Sequence, residues 1–132
     1  GNDKIRGEDG NDSLSGDAGR DYIHGGDGSD AINGGADADK LVGGRGTDVI
    51  QGGAGDDHIW GGNWSGDNAS DTFVFAAGSG KDIIHDFETD QDQIDLTSYG
   101  LDYDSLQNVM TDHGWAVELR VGSVSLWLSG YR

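Results

Sequence analysis

The sequence predicts an all-β fold: a parallel β-roll of nonapeptide repeats followed by a C-terminal antiparallel β cap. Three observations predict it. Asp3, Asp12, Asp21, Asp30, Asp39, Asp48 and Asp57 stand nine residues apart without a slip. An aliphatic residue follows each by two (Ile5, Leu14, Ile23, Ile32, Leu41, Ile50, Ile59), and a glycine follows each by four, from Gly7 to Gly61. Beyond residue 70 this period gives way to short apolar segments separated by polar turns. A nine-residue period does not fit a helix of 3.6 residues per turn, and glycine is costly inside one.

The repeats come first. After a partial opening unit they read GEDGNDSLS, GDAGRDYIH, GGDGSDAIN, GGADADKLV, GGRGTDVIQ and GGAGDDHIW. Another unit opens at Gly61-Gly62, departs through NWSGDN and resumes at Asp71-Thr72-Phe73. Asp57 and Asp71 are 14 residues apart, so one half-turn carries an insertion, which belongs on a surface loop. The triplet around each aliphatic is expected to be strand and the other six residues to turn the chain. Two units then make a coil of 18 residues, and coils stack as parallel strands about 4.8 Å apart. One inward ladder is Ile5, Ile23, Leu41, Ile59; the other is Leu14, Ile32, Ile50. Each buried ladder residue contributes about 1.5–3 kcal/mol. Ordering a residue of backbone costs about 1–2 kcal/mol. With roughly one such side chain in nine residues, the apolar core alone loses, and the array needs a further source of stability.

The second region is expected to cap the first. DTFVF, KDIIHDF, DQIDL, WAVELRV and SVSLWLSGY read as short strands. Ser105–Met110 reads as a short turn of helix. Phe73, Phe75, Phe87, Tyr99, Trp115 and Trp127 supply aromatic bulk for a core. The expected division is a roll over 1–70, with the insertion at 63–68, and a continuous cap over 71–132.

Composition narrows the function. The chain has 132 residues, 25 acidic against 8 basic side chains, and a formal net charge of -17. Only Glu8, Glu88 and Glu118 are glutamate, so 25 − 3 = 22 of the acids are aspartate. A merely solvated acidic face would mix the two freely; short, stiff aspartate suits a tight loop that aims oxygen at a hard cation. There is no cysteine, so bound metal is the available cross-link. Acidity argues against a nucleic-acid partner. No apolar run is long enough to be a transmembrane segment. The chain opens in mid-repeat at Gly1-Asn2-Asp3, as a piece of a longer protein would.

The unit G-G-x-G-x-D-x-U-x, with U a large aliphatic, resembles the calcium-binding nonapeptide of the RTX (repeats-in-toxin) family. The string DTFVF…DIIHDF…DQIDL also resembles the segment that follows these repeats in serralysin-type proteases, mannuronan epimerase R-modules and RTX adhesins. The resemblance implies calcium, about four to six ions by the number of stacked loops. It implies export by type I secretion machinery and a secreted, extracellular or cell-surface location. The implied role is a module that folds on calcium and stabilises or chaperones an upstream domain. The alternative is a carbohydrate- or surface-binding module, with a glycan partner. No catalytic motif stands apart from the repeats, so an enzyme activity is expected only upstream.

Calcium takes six to eight oxygens at about 2.3–2.6 Å. One loop cannot supply them; two stacked loops can. Carboxylates 18 residues apart pair as Asp12 with Asp30, Asp21 with Asp39, Asp30 with Asp48, and Asp39 with Asp57, each able to serve sites above and below. The family resemblance adds backbone carbonyls: Gly25, Gly26, Asp27, Gly28 with Gly43, Gly44, Arg45, Gly46, and Gly34, Gly35, Ala36 with Gly52, Gly53, Ala54, Gly55. Glu8 and Asp17 replace the second glycine of the unit and Asp37 the fourth. Asp86, Asp90, Asp92 and Asp95 lack EF-hand spacing and are expected in turns and caps, with one more calcium as the alternative. His24, His58, His85 and His113 lack zinc spacing and are expected at the surface. Trp60 and Trp64 are expected to pack against the cap, with sugar stacking as the alternative.

Overall fold

The computed structural model describes residues 1–62, 69–75, 80–87 and 91–95, together with the backbone of three strands over 110–112, 116–121 and 124–129. Six strands build the first three coils: β1 (Lys4–Asp9), β2 (Ser13–Ser15), β3 (Tyr22–Asp27), β4 (Ala31–Ala36), β5 (Lys40–Arg45) and β6 (Val49–Ala54). They are followed by β7 (His58–Trp60), β8 (Thr72–Val74), β9 (Lys81–Ile84) and β10 (Gln93–Asp95). The remaining strands are β11 (Met110–Asp112), β12 (Ala116–Val121) and β13 (Val124–Ser129). Among the described residues there is no helix, and so none long and apolar enough to cross a membrane.

Alternate strands fall in opposite sheets, as a two-unit coil requires. One sheet runs β1-β3-β5-β7-β9-β13-β12-β11 and the other β10-β8-β6-β4-β2. The result is a β-solenoid of about 4 turns with parallel stacked coils. Register confirms both expected ladders. Ile5 pairs with Ile23, Ile23 with Leu41 and Leu41 with Ile59. Leu14 pairs with Ile32, and Ile32 with Ile50.

Two features differ from the sequence reading. The first is strand length. In β3 to β6 the strand does not stop after the aliphatic triplet but continues through the Gly-Gly pair. The β3–β5 register runs to His24↔Val42, passes over the first glycines and resumes at Gly26↔Gly44 and Asp27↔Arg45. Identical turns stacked in register keep their N–H and carbonyl groups aligned, so the turn pairs as well. The second is the start of the cap. β8, β9 and β10 extend the parallel ladders, setting Phe73 on Ile50, Ile84 on Ile59 and Ile94 on Phe73. Among the described residues antiparallel pairing is confined to β11, β12 and β13, and β13 joins β9 in parallel. Each of β8, β9 and β10 keeps an aspartate two residues before its core residue (Asp71, Asp82, Asp92), which is what qualifies it as a coil strand.

The core is one layer between the two sheets. Ile23, Leu41, Ile50, Ile59, Phe73 and Ile84 are fully buried. Ile5, Leu14 and Ile94, at the ends of the ladders, pack against it while partly exposed. Phe73 and Phe87 meet at 6.1 Å between ring centroids. Of the expected aromatic core, Tyr99, Trp115 and Trp127 lie outside the described side chains. The helical turn expected over Ser105–Met110 also lies outside them, apart from Met110, which opens β11.

Backbone conformation accounts for the departures from the repeat. Gly44 and Gly46 have φ of 116° and 115°, in the region that glycine alone enters freely. A Cβ on Gly44 would run into the carbonyl oxygen of Gly26 in the coil beneath. Glu8, Asp17 and Asp37 are forced into the same region, with φ of 78°, 68° and 79°. The aspartates gain bonds there: Ser15 Oγ donates locally to Asp17 at 2.8 Å, and the Gly19 N–H of the neighbouring coil donates to Asp37 at 3.2 Å. Left-handed backbone costs a side-chain-bearing residue about 1–2 kcal/mol. Glu8→Gly is therefore expected to stabilise the calcium-loaded protein by about 1 kcal/mol. Gly44→Ala is expected to destabilise it by about 3 kcal/mol or more. Denaturant unfolding in saturating calcium measures both.

Candidate metal site

Stacking turns the periodic aspartates into two continuous rows. Asp3, Asp21, Asp39, Asp57 and Asp82 form one; Asp12, Asp30, Asp48, Asp71 and Asp92 form the other. A single bond repeats along each. The backbone N–H of one aspartate donates to Oδ1 of the next: Asp3 to Asp21 at 2.7 Å, Asp21 to Asp39 and Asp39 to Asp57 at 2.8 Å. In the second row Asp12 donates to Asp30, and Asp30 to Asp48, both at 2.8 Å. Asp48 continues to Asp71 at 2.9 Å, Asp57 to Asp82 at 3.0 Å, and Asp71 to Asp92 at 3.1 Å.

The other oxygen is the informative one. Oδ2 of Asp12, Asp21, Asp30, Asp39, Asp48, Asp57 and Asp82 is buried and has no hydrogen-bond partner. Buried carboxylate oxygens are almost always paired, so seven in register require an explanation. Each faces a second acceptor where the next coil is regular. A Cβ built on Gly34 would stand 2.5 Å from both Asp39 Oδ2 and the Gly52 carbonyl oxygen. The same pairing recurs as Asp12 with Gly25, Asp21 with Gly34, Asp30 with Gly43 and Asp48 with Gly61. The first glycine of the unit is thus needed for space, while the second and fourth are needed for φ.

Two oxygens that face each other with no donor between them fit a cation. The donor set is carboxylate and carbonyl oxygen only, which suits a hard divalent ion with flexible coordination. Among the described residues no three His, Cys, Asp or Glu side chains converge, so the carbonyls are an essential part of any such set. Calcium fits these residues.

The electrostatics agree. Burial raises Asp39 from its ordinary 3.8 to about 6, opposed by the Asp21 N–H and reinforced by the charges of Asp21 and Asp37. Burial likewise raises Asp30. Asp57 and Asp82 are both raised, by burial first and by neighbouring carboxylates after it.

The structure brings Asp12, Asp21, Asp30, Asp39, Asp48 and Asp57 into the two rows, with one oxygen each held by backbone rather than both turned to a site. The first-glycine carbonyls of Gly25, Gly34, Gly43 and Gly52 stand at the cradles. Gly26, Gly28, Gly35, Gly44, Gly46, Gly53 and Gly55 take positive φ around them. At the third position, Asp27 and Arg45 turn their carbonyls to the N–H groups of Gly10 and Gly28, and Ala36 pairs with Ala54. Asp86 caps a turn: its two oxygens accept the N–H groups of Gly61 and Gly62, each at 2.8 Å. Asp90, Trp64 and His113 lie outside the described residues. Trp60 stacks on His85 at 4.2 Å, and Lys40 Nζ lies over the indole ring at 5.4 Å from its centroid. His58 Nδ1 and His85 Nε2 are 2.8 Å apart on the outer face.

Sequence reasoning read Asp71 as the point where the repeat resumes, but missed Asp82 and Asp92 as members of the rows. A signal was present. Each keeps the Asp-x-apolar pair (Asp71-x-Phe73, Asp82-x-Ile84, Asp92-x-Ile94), but the spacings are 14, 11 and 10 instead of nine.

Comparison with known proteins places these observations in a family. The family model of the RTX calcium-binding nonapeptide repeat (4 copies) matches residues 1–32 and 33–63. Among solved structures, the AlgE6R3 subunit from the Azotobacter vinelandii mannuronan C5-epimerase is similar, with 30% identity and a TM-score of 0.62. That match covers 92% of this chain and 73% of the other. A comparison with curated protein sequences found no match.

The raised carboxylates give a pH dependence with a definite sign. Asp39 has a folded pKa of about 6 against an ordinary 3.8. The metal-free coil therefore binds more protons folded than unfolded. Its stability is fully present below about pH 4 and is lost as pH rises through about 6. Calcium needs the ionised form, so its affinity moves the opposite way and rises over the same window. Calorimetric titration in two buffers of different ionisation enthalpy should show proton release on calcium binding near about pH 5 and almost none near about pH 9.

Proposed function

The chain belongs to the RTX calcium-binding nonapeptide repeat family, and from that premise we propose that it is a calcium-dependent folding module of a secreted protein. The observation that carries this reading is the set of buried Oδ2 atoms without a hydrogen-bond partner, those of Asp12, Asp21, Asp30, Asp39 and Asp48 each beside a glycine carbonyl oxygen. In the proposal Asp12, Asp21, Asp30, Asp39, Asp48 and Asp57 hold calcium together with the first-glycine carbonyls and the G-G-x-G loop carbonyls around them. Bound calcium supplies the positive charge that lets stacked carboxylates be buried side by side. About four to six ions would cancel about 8–12 of the formal negative charges.

The role follows from the energetics. The aliphatic ladder is one residue in nine and cannot offset the ordering of so much glycine-rich backbone. At the low calcium of a cytosol the array stays extended, as passage through a type I secretion channel requires. At the millimolar calcium outside a cell it folds. The folded roll then stabilises or chaperones a domain upstream of it in the same polypeptide. AlgE6R3 is a subunit from an epimerase, and a comparable placement would set this chain beside a catalytic domain while contributing no catalysis itself.

Far-UV circular dichroism tests the proposal. With chelator the spectrum should be that of a largely disordered chain, and millimolar calcium should restore β structure. Magnesium should not substitute, because it demands octahedral geometry and dehydrates reluctantly. Asp48→Asn should raise the calcium midpoint more than Asp3→Asn, since stacked units couple to both neighbours in the interior and to one at the end. A native-like spectrum in chelator would overturn the reading.

A further inference from the structure

The residue just before the first glycine of each unit changes from coil to coil: Arg6, Ser15, His24, Asn33, Val42, Gln51 and Trp60. Asparagine occupies it once. Among the described residues Asn33 is also the one asparagine followed by glycine, since Asn2 and Asn11 precede aspartate. Asparagine is a chemically labile residue. The backbone nitrogen of the next residue can attack its side-chain amide, and a glycine there brings no side chain to obstruct the approach. Asn33 is exposed in β4, open to water, while Gly34 beside it is buried.

The coil holds that attack back. Asn33 pairs with Ser15 on one side and Gln51 on the other. Its carbonyl accepts the Gly16 N–H at 3.0 Å. That carbonyl and the Gly34 nitrogen share one planar peptide unit, so the bond fixes both. Extended backbone directs the Gly34 nitrogen away from the Asn33 side chain. Turning the two together would swing Gly34 within its cradle, where Asp39 Oδ2 and the Gly52 carbonyl leave no room even for a Cβ. Gln51-Gly52 repeats the arrangement in the next coil with one more methylene in the side chain. Attack there would have to close a six-membered ring in place of a five-membered one, so Gln51 is a built-in reference.

We infer that Asn33-Gly34 is a deamidation site that the folded roll keeps unreactive and the unfolded chain releases. The inference rests on the calcium-folding reading only for what switches the site between those two states. In the reaction the Gly34 nitrogen gives its proton to hydroxide and forms a bond to Asn33 Cγ. The bond from Cγ to the side-chain nitrogen breaks, and ammonia leaves with a proton taken from water. Water then adds to one carbonyl carbon of the cyclic imide, and the ring C–N bond there breaks. One direction of opening gives aspartate at position 33. The other gives isoaspartate, in which the main chain runs through the former side chain. The balance is one water consumed and one ammonia released, with no redox change. Isoaspartate adds a main-chain carbon between the aliphatic triplet of β4 and its Gly-Gly turn. The turn can then no longer keep Gly35↔Gly53 and Ala36↔Ala54 in register while Gly34 faces Asp39. A chain left unfolded therefore loses, with time, the capacity to close this coil.

Peptide mass mapping of the whole chain tests this. The protein is incubated in heavy-oxygen water at mildly alkaline pH, in saturating calcium, in chelator, and in denaturant with chelator. Asn33 should convert to acid with uptake of heavy oxygen in chelator and in denaturant, at least about tenfold faster than in calcium, because reaction within the roll waits for local opening. Gln51 should remain an amide throughout. The purified isoaspartyl product should fail to regain β structure with calcium, whereas Asn33→Gln, incubated alongside, should fold as the fresh protein does. No conversion of Asn33 in denaturant, or equal rates in denaturant and in calcium, overturns the inference. An isoaspartyl chain that folds at the calcium midpoint of the fresh protein overturns the role given to the turn. Fast conversion in denaturant alone, with calcium and chelator equally slow, upholds the protected site and overturns the calcium-dependent folding reading instead.

Discussion

Everything in this roll depends on a buried column of like charge. Each coil places one carboxylate directly over another, holds Oδ1 with a backbone N–H from the coil beneath, and leaves Oδ2 facing a carbonyl oxygen. Only a donor of positive charge makes that arrangement favourable. Burial already raises Asp30, Asp39, Asp57 and Asp82 above the ordinary carboxylate range. The same contact that destabilises the metal-free coil is therefore the one that selects for a cation. On the proposed reading fold and ligand are not separable: the site does not exist until two coils stack, and the coils have little reason to stack without the ion.

The glycines serve this column in two distinct ways. The first glycine of each unit leaves room beside Oδ2 that any side chain would fill. The second and fourth adopt a backbone conformation that turns the chain over the coil below. A repeat of nine can therefore spare only one position for the apolar core. That shortage of apolar burial follows from giving so many positions to glycine and aspartate, and on the proposed reading it makes the fold conditional on the ion.

Much of this was legible in the sequence because the repeat writes three constraints at once. Aspartate, aliphatic and glycine stay in phase from Asp3 to Gly61, and that phase alone places both ladders and both rows correctly. The replacements at Glu8, Asp17 and Asp37 were legible as departures from the unit, and all three have positive φ. What stayed hidden depends on stacking rather than on local pattern. The insertion after Gly62 left Asp71 legible as a resumption of the repeat, but the offsets to Asp82 and Asp92 break the count of nine without breaking the coil, so those two fell out of frame. The division of labour between Oδ1 and Oδ2 could not be read from spacing either, since it is decided by an N–H 18 residues earlier in the chain. Nor does residue type say that a Gly-Gly pair will act as strand; that follows from identical turns lying in register.

The most direct measurement of the central claim is amide hydrogen exchange at Asp21, Asp30, Asp39, Asp48 and Asp57, whose N–H groups bond the carboxylate of the following coil. Exchange is compared at neutral pH in saturating calcium and in chelator. The account predicts strong protection of all five with calcium and exchange near the rate of an unstructured chain without it. Equal protection in the two conditions would contradict it, because the column of carboxylates would then be stable without any cation to hold it together.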